Sequence, residues 1–273
     1  MKVWISVLMT VLLGLSGCGD AKEAKATQSV QTPELIFYVG ITMVKPMTEL
    51  AKRFEAKEGV KIKILQGGSE DLYQSAKSSG AGDLYMPGSL SYRTKYLHEG
   101  IMSDEAVFVG YNRAALMVKK GNPQNIAPNL NVLLDKRYKM VLCNPESGSI
   151  GNETKKILNN AGIYADAMAR SVYLTTDSRN LIKAIKEGDA DVILNWRATA
   201  FWEDNKDIVD VLELPETIAP KSTLVLTLLK SSKYPDKVRA FMKFATSKEG
   251  RLVFHAFGFL SDAELAEFDN LKF

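Results

Sequence analysis

Apolar and polar positions alternate along this chain in two distinct rhythms. Leu35-Ile36-Phe37-Tyr38-Val39 is a short continuous apolar run, the signature of a buried strand. Met47, Leu50, Ala51 and Phe54 then recur at i, i+3, i+4 and i+7, which predicts a helix with one buried face. Gly59 sits where such a helix ends in a left-handed residue. Val60 to Leu65 predicts a second strand. Gly67-Gly68-Ser69 opens a helix through about Ser78, and Asp83 to Met86 predicts a third strand. A β-α-β-α-β order predicts an α/β domain with a largely parallel sheet. Val107 to Val109 and Ala115 to Val118 are strand-like around Gly110-Tyr111-Asn112, and a second α/β unit follows. Its strands are expected near 140–143, 171–174, 191–194 and 208–212, and its helices near 151–161, 178–187 and 197–203. Thr223 to Leu229 is again strand. From Pro235 the chain reads as helix, with Val238, Phe241, Met242 and Ala245 on one face.

The beginning of the chain has another pattern. After Lys2 comes an apolar run, Val3 to Leu15, broken only by Ser6, Thr10 and Gly14. A membrane span needs about 20 apolar residues, so this one fits the apolar segment of a signal peptide. Its end, Leu15-Ser16-Gly17-Cys18, resembles the lipobox of bacterial lipoproteins, which implies cleavage after residue 17 and a lipid on Cys18. An ordinary signal peptide or a short buried helix are the plainer readings. Gly19 to Pro33 is small, polar and aperiodic, as a flexible tether would be. The expected organisation is a signal peptide over 1–17, a lipidated Cys and tether over 18–34, and a folded body from 35.

Composition narrows the chemistry. The 273 residues carry 35 Lys and Arg against 32 Asp and Glu, too even a balance to argue for a nucleic-acid binder. Two His and two Cys nearly exclude a Cys/His metal cluster, since such sites take about four ligands; no metal and no cofactor is expected. After Cys18, Cys143 is the remaining thiol. It sits in the strand-like Met140-Val141-Leu142-Cys143 and cannot form an internal disulfide by itself, with a catalytic thiol as the sharper alternative. No G-x-S-x-G elbow, H-E-x-x-H, phosphate-binding loop or G-x-G-x-x-G is present. His98 and His255 fall in helical segments away from every candidate loop.

In open α/β sheets ligands collect at the carboxyl ends of strands, where helix N-termini point. The junctions here are Gly40-Ile41-Thr42, Gly67-Gly68-Ser69, Pro145 to Asn152, Thr175 to Arg179, and Asn195-Trp196-Arg197. Thr42 and Ser69 read as helix N-caps. Hydroxyls and unpaired N–H groups recur at these junctions, and several converging helix N-termini make an anion site without lysines. Each junction taken alone is equally an ordinary cap. Glu70 and Asp71 complement the helix dipole behind Ser69 and would weaken its pull on an anion if they faced a cleft.

Leu35 to Met86 resembles the start of the molybdate-binding family of periplasmic binding proteins. The resemblance rests on Ile41-Thr42, Phe54 to Val60, Gly67-Gly68-Ser69 and Gly80-Ala81-Gly82-Asp83-Leu84-Tyr85. Further counterparts are Gly121-Asn122-Pro123, Asn144-Pro145-Glu146, Gly188 to Val192 and Phe254 to Phe259. It covers about 35 to 260 and implies two α/β lobes of the type II periplasmic binding fold, joined by two crossing strands around a ligand cleft. The implied lobes are 35–110 with 226–273, and 111–225. The family's ligand serines fall on Thr42 and Ser69, its backbone donors on Ile150 and Ser178, and its ligand tyrosine on Trp196, followed by Arg197 where a small residue is usual. With Ser149, these seven residues are expected to face one cleft and hold a small anion. Arg197 would favour a carboxylate or phosphate, or is simply a solvated helix residue. The implied function is a lipid-anchored, monomeric, extracytoplasmic solute-binding protein of an ABC importer. It would bind an oxyanion such as molybdate or tungstate and hand it to a membrane permease. A binding protein for a larger phosphate- or carboxylate-bearing molecule, a surface adhesin, and an enzyme on the same lobes are the other readings.

Overall fold

The computed structural model describes residues 32–270. The expected signal segment, Cys18 and the tether up to residue 31 lie outside the described residues. β1 (Glu34–Gly40) starts one residue inside the expected tether, because Glu34 is already opposite Lys61 in a parallel ladder. α1 (Val44–Glu58) buries Met47, Leu50, Ala51 and Phe54 and ends at Gly59, whose φ of 62° is left-handed. β2 (Lys61–Gly67), α2 (Ser69–Ser79) and β3 (Leu84–Met86) complete the expected unit. α3 (Leu90–Tyr96) follows, capped by the Ser89 hydroxyl, which accepts the N–H of Ser91. The apolar pattern gives no helix there, since seven residues hold too few turns for a period to show.

β4 (Met102–Asn112) and β5 (Ala114–Lys119) are separated by Arg113 alone, yet they belong to different sheets. β6 (Met140–Cys143), α4 (Ser149–Asn160), α5 (Tyr164–Arg170), β7 (Leu174–Thr175), α6 (Ser178–Glu187), β8 (Val192–Trp196) and β9 (Val209–Leu212) follow. The helix expected near 197–203 is a short 3-10 turn over Arg197–Phe201. The strand expected at 171–174 shrinks to two residues. β10 (Ser222–Leu229), α7 (Pro235–Ala245), α8 (Lys248–Ala256) and α9 (Asp262–Asn270) close the fold.

Among the described residues there are two five-stranded sheets, ordered β2-β1-β3-β10-β4 and β7-β6-β8-β5-β9. Each is parallel on one side and antiparallel on the other, so neither is as parallel as the strand–helix alternation predicts. β10 returns from the far side of the second sheet to lie antiparallel between β3 and β4. β5 lies antiparallel between β8 and β9. Each sheet has its own core. Phe37, Phe54 and Phe241 meet edge-on under the first, with ring centroids 4.7 and 5.2 Å apart, and Leu116, Val141, Leu181 and Ile193 lie under the second. The chain crosses between the sheets at Arg113 and again between Leu212 and Ser222. Among the described residues no helix is long and apolar enough to cross a membrane.

Candidate functional site

A small cavity lies where strand-to-helix junctions of both sheets meet. From the first sheet come Gly40, Ile41 and Thr42 after β1, Gly67, Gly68 and Ser69 after β2, and Gly88 after β3. From the second come Gly148, Ser149 and Ile150 at the start of α4, and Asp177 and Ser178 at the start of α6. The first N–H groups of α2, α4 and α6 have no partner within their own helices. Each helix also carries a partial positive charge at that end. Three helix starts and four hydroxyl groups therefore converge on one small volume, with no Lys or Arg side chain in the lining.

Five of the seven expected residues, Thr42, Ser69, Ser149, Ile150 and Ser178, line this cavity. Their roles differ in part from those the sequence suggests. Gly68 and not Ser69 is the N-cap of α2. The Ser69 oxygen instead accepts the N–H of Gly88 at 3.0 Å, while Tyr85 donates its hydroxyl to the Ser69 carbonyl at 2.8 Å. Thr42 is likewise no cap: it lies within a 3-10 turn, Ile41–Met43, and donates to the Ser178 hydroxyl across the cavity at 3.4 Å. Asn195 fixes Ser178 from behind by donating to its carbonyl at 3.0 Å.

Two expectations fail on geometry. Trp196 does not line the cavity. It is fully buried, and its indole N–H donates to the Ser149 hydroxyl at 3.0 Å. Arg197 points elsewhere: its guanidinium pairs with Glu213 and stacks 4.6 Å above the Phe201 ring. It lines a separate cavity of about 610 Å³ with Arg113, Glu213, Lys221 and His255. One residue apart on a strand end, the two side chains leave on opposite faces, so both could not reach the same cleft.

Acidic groups at the rim are restrained. Asp177 caps α6, accepting the N–H groups of Arg179 and Asn180. Burial works against the Glu70 charge, but hydrogen bonds from Tyr96, Gln74 and Lys95 hold its carboxyl below the ordinary range, and that network draws it away from the cavity. Burial, then the charges of Glu70 and Asp177, push the Asp71 carboxyl up. Cys143 is buried in β6, and burial pushes its thiol up to about 12, which removes the thiolate that catalysis would need. Among the described residues no group of His, Cys, Asp and Glu is placed to hold a metal ion.

The two halves of the lining touch closely. A Cβ on Gly68 would lie 2.3 Å from the Ser147 carbonyl oxygen, and one on Gly88 only 2.1 Å from the Ser149 hydroxyl. Only about 10 Å³ admits the centre of a water-sized sphere, roughly the room for one water. Arg179 donates to Gln66 at 2.9 Å and Lys45 pairs with Asp204 at 3.0 Å beside it, so the sheets are bridged around the cavity. Gly88 escaped the sequence reading, although Met86-Pro87-Gly88-Ser89 is a strand end followed by a turn dipeptide and a cap.

Residues 35–260 match the profile of a family described as bacterial extracellular solute-binding protein. A putative binding protein of Haemophilus influenzae is 24% identical over 234 residues, covering 86% of this chain and 94% of its own. The periplasmic molybdate-binding protein of Azotobacter vinelandii superimposes with a TM-score of 0.73 at 14% identity, over 83% of this chain and 99% of its own. PEB3 of Campylobacter jejuni with L-phospholactate bound gives 0.65 at 18% identity, over 82% and 98%. At these identities the structural likeness is one of fold: two lobes of the type II periplasmic binding architecture.

Proposed function

We propose that this chain, which belongs to the bacterial extracellular solute-binding proteins, captures a small tetrahedral oxyanion such as molybdate or tungstate between its lobes. The observation that carries the reading is the lining itself, in which neutral hydroxyl and N–H donors from both sheets converge and no cationic side chain takes part. Neutral donors at helix N-termini suit a compact anion whose charge is spread over several oxygens. Thr42, Ser69, Ser149, Ile150 and Ser178 are the proposed ligand contacts. The proposed lobes are 35–110 with 226–273, and 111–225, closing about the two crossings. Delivery to an ABC permease, anchoring through a lipid on Cys18 and a monomeric state complete the proposal.

A second reading, a larger phosphate- or carboxylate-bearing ligand, draws on the phospholactate carried by PEB3. The absence of Lys and Arg from the lining, where a carboxylate- or phosphate-bearing ligand would be expected to meet a cationic fork, favours the first. Isothermal titration of the purified chain with molybdate, tungstate, sulfate, phosphate and phospholactate separates them. Tight binding of the first two supports the oxyanion, phospholactate alone supports the larger ligand, and no binding by any overturns both.

A further inference from the structure

The fully buried Trp196 ends β8, and its indole N–H reaches the Ser149 hydroxyl oxygen at 3.0 Å. An indole N–H can only donate, so the bond has one sense. The Ser149 oxygen accepts, and its own hydrogen must point elsewhere. Ser149 is the first residue of α4 and has no helical carbonyl one turn earlier to receive that hydrogen. Among the described residues no protein acceptor takes it, and Ser149 lines the cavity. On the opposite wall Ser69 is arranged in the same way. Its oxygen accepts the Gly88 N–H at 3.0 Å, and the Gly88 carbonyl is in turn held by the Asn112 amide at 2.9 Å.

We infer that Trp196 is a positioning residue: by engaging one lone pair of Ser149, it turns the hydrogen of that hydroxyl towards the bound anion. The inference rests on the oxyanion reading above. It assigns Trp196 a role through Ser149, and not a contact of its own with the ligand. With one lone pair of each taken by an N–H, Ser149 and Ser69 are left free to turn their hydrogens towards the cavity from opposite walls.

The test is a double-mutant cycle on the purified full chain, titrated calorimetrically with molybdate, tungstate and sulfate. W196F keeps an aromatic ring but removes the N–H together with the five-membered half of the indole; S149A removes the hydroxyl. Each is expected to weaken binding about tenfold, the worth of one hydrogen bond to a charged group. The double variant is expected to bind like S149A alone, because the indole acts only through that hydroxyl. S149A strands a buried N–H, so it should lower the melting temperature of wild type more than that of W196F, a readout that keeps affinity separate from folding. The assignment is overturned if W196F leaves affinity unchanged, or if the losses multiply to about a hundredfold in the double variant. If wild type binds none of the three anions, the oxyanion reading falls and this role falls with it, a result distinct from binding that ignores Trp196.

Discussion

Two cavities flank the strand-end pair Trp196-Arg197, and they are built on opposite electrostatic principles. The cavity between the sheets is lined by glycines, hydroxyls and helix N-termini, with Asp177 as the charged residue of the lining and no basic side chain. The larger one is crowded with charge, but that charge is already paired. Arg197 meets Glu213, His255 meets Asp262, and Glu264 on α9 receives both Arg113 and Lys221. Arg113 and Lys221 stand on the two crossings between the sheets, so a single carboxylate on the C-terminal helix ties both. Charge there is a structural fastening, and in the smaller cavity the carboxylate of Asp177 is likewise engaged, by the N–H groups of Arg179 and Asn180. A conspicuous arginine beside a candidate site is therefore a poorer guide to ligand than a row of serines.

The largest expected effect falls on the charged side. E264A removes the carboxylate between Arg113 and Lys221, and Glu264 is 9% exposed. Deleting one member of such a buried pair costs about 3–5 kcal/mol, so a clear drop in unfolding free energy by urea titration is expected, with oxyanion affinity within about twofold. The same residue sets an acid limit. Burial opposes the Glu264 charge, but the Ser261 N–H, Lys221, Arg113 and the Ser261 hydroxyl hold its carboxyl at about 2, against an ordinary 4.5. A carboxyl depressed on folding stabilises above its unfolded value and loses that contribution as pH falls towards its folded one. Stability should drop between about pH 4.5 and 2 in wild type, and less so in E264Q.

On the neutral side, G88A places a methyl 2.1 Å from the Ser149 hydroxyl and should block the close approach of the lobes. Overpacking of this kind costs about 1–3 kcal/mol, read as a ten- to hundredfold loss of molybdate affinity. Loss of one hydroxyl, in S69A or T42A, should weaken binding about tenfold. The smallest effect belongs to R197A, whose guanidinium is engaged by Glu213 and Phe201 outside the cavity. Affinity within about twofold of wild type is expected, and a tenfold loss would bring Arg197 back into the site and break the contrast.

Much of the fold is legible because periodicity and punctuation agree. Met47, Leu50, Ala51 and Phe54 share one buried face, and Gly59 ends that helix in a left-handed conformation. Thr42, Ser69 and Ser178 are legible as junction residues, and they do meet in one cavity. Their partners are not legible, since they depend on approaches between distant segments. Nothing local says that the Ser69 oxygen is occupied by Gly88, or that Trp196 looks towards Ser149 while Arg197 looks towards Glu213. The strand–helix alternation overstates the parallel character of the sheets for the same reason: β10 is an ordinary strand in the sequence, and its place between β3 and β4 depends on distant segments.

That placement of β10 fixes an order of assembly. The second sheet draws all five strands from one unbroken stretch, 114–212, which can pair as soon as that stretch has been made. The first sheet begins earlier in the chain but cannot close, because β3 and β4 are joined only through a strand that emerges after residue 222. Closing a loop of that span carries an entropic penalty, and strand pairing across such separations is slow. The edge of β3 that faces β10 therefore stays unpaired until the chain beyond residue 222 has been made, and an open strand edge of this kind is a ready template for mispairing.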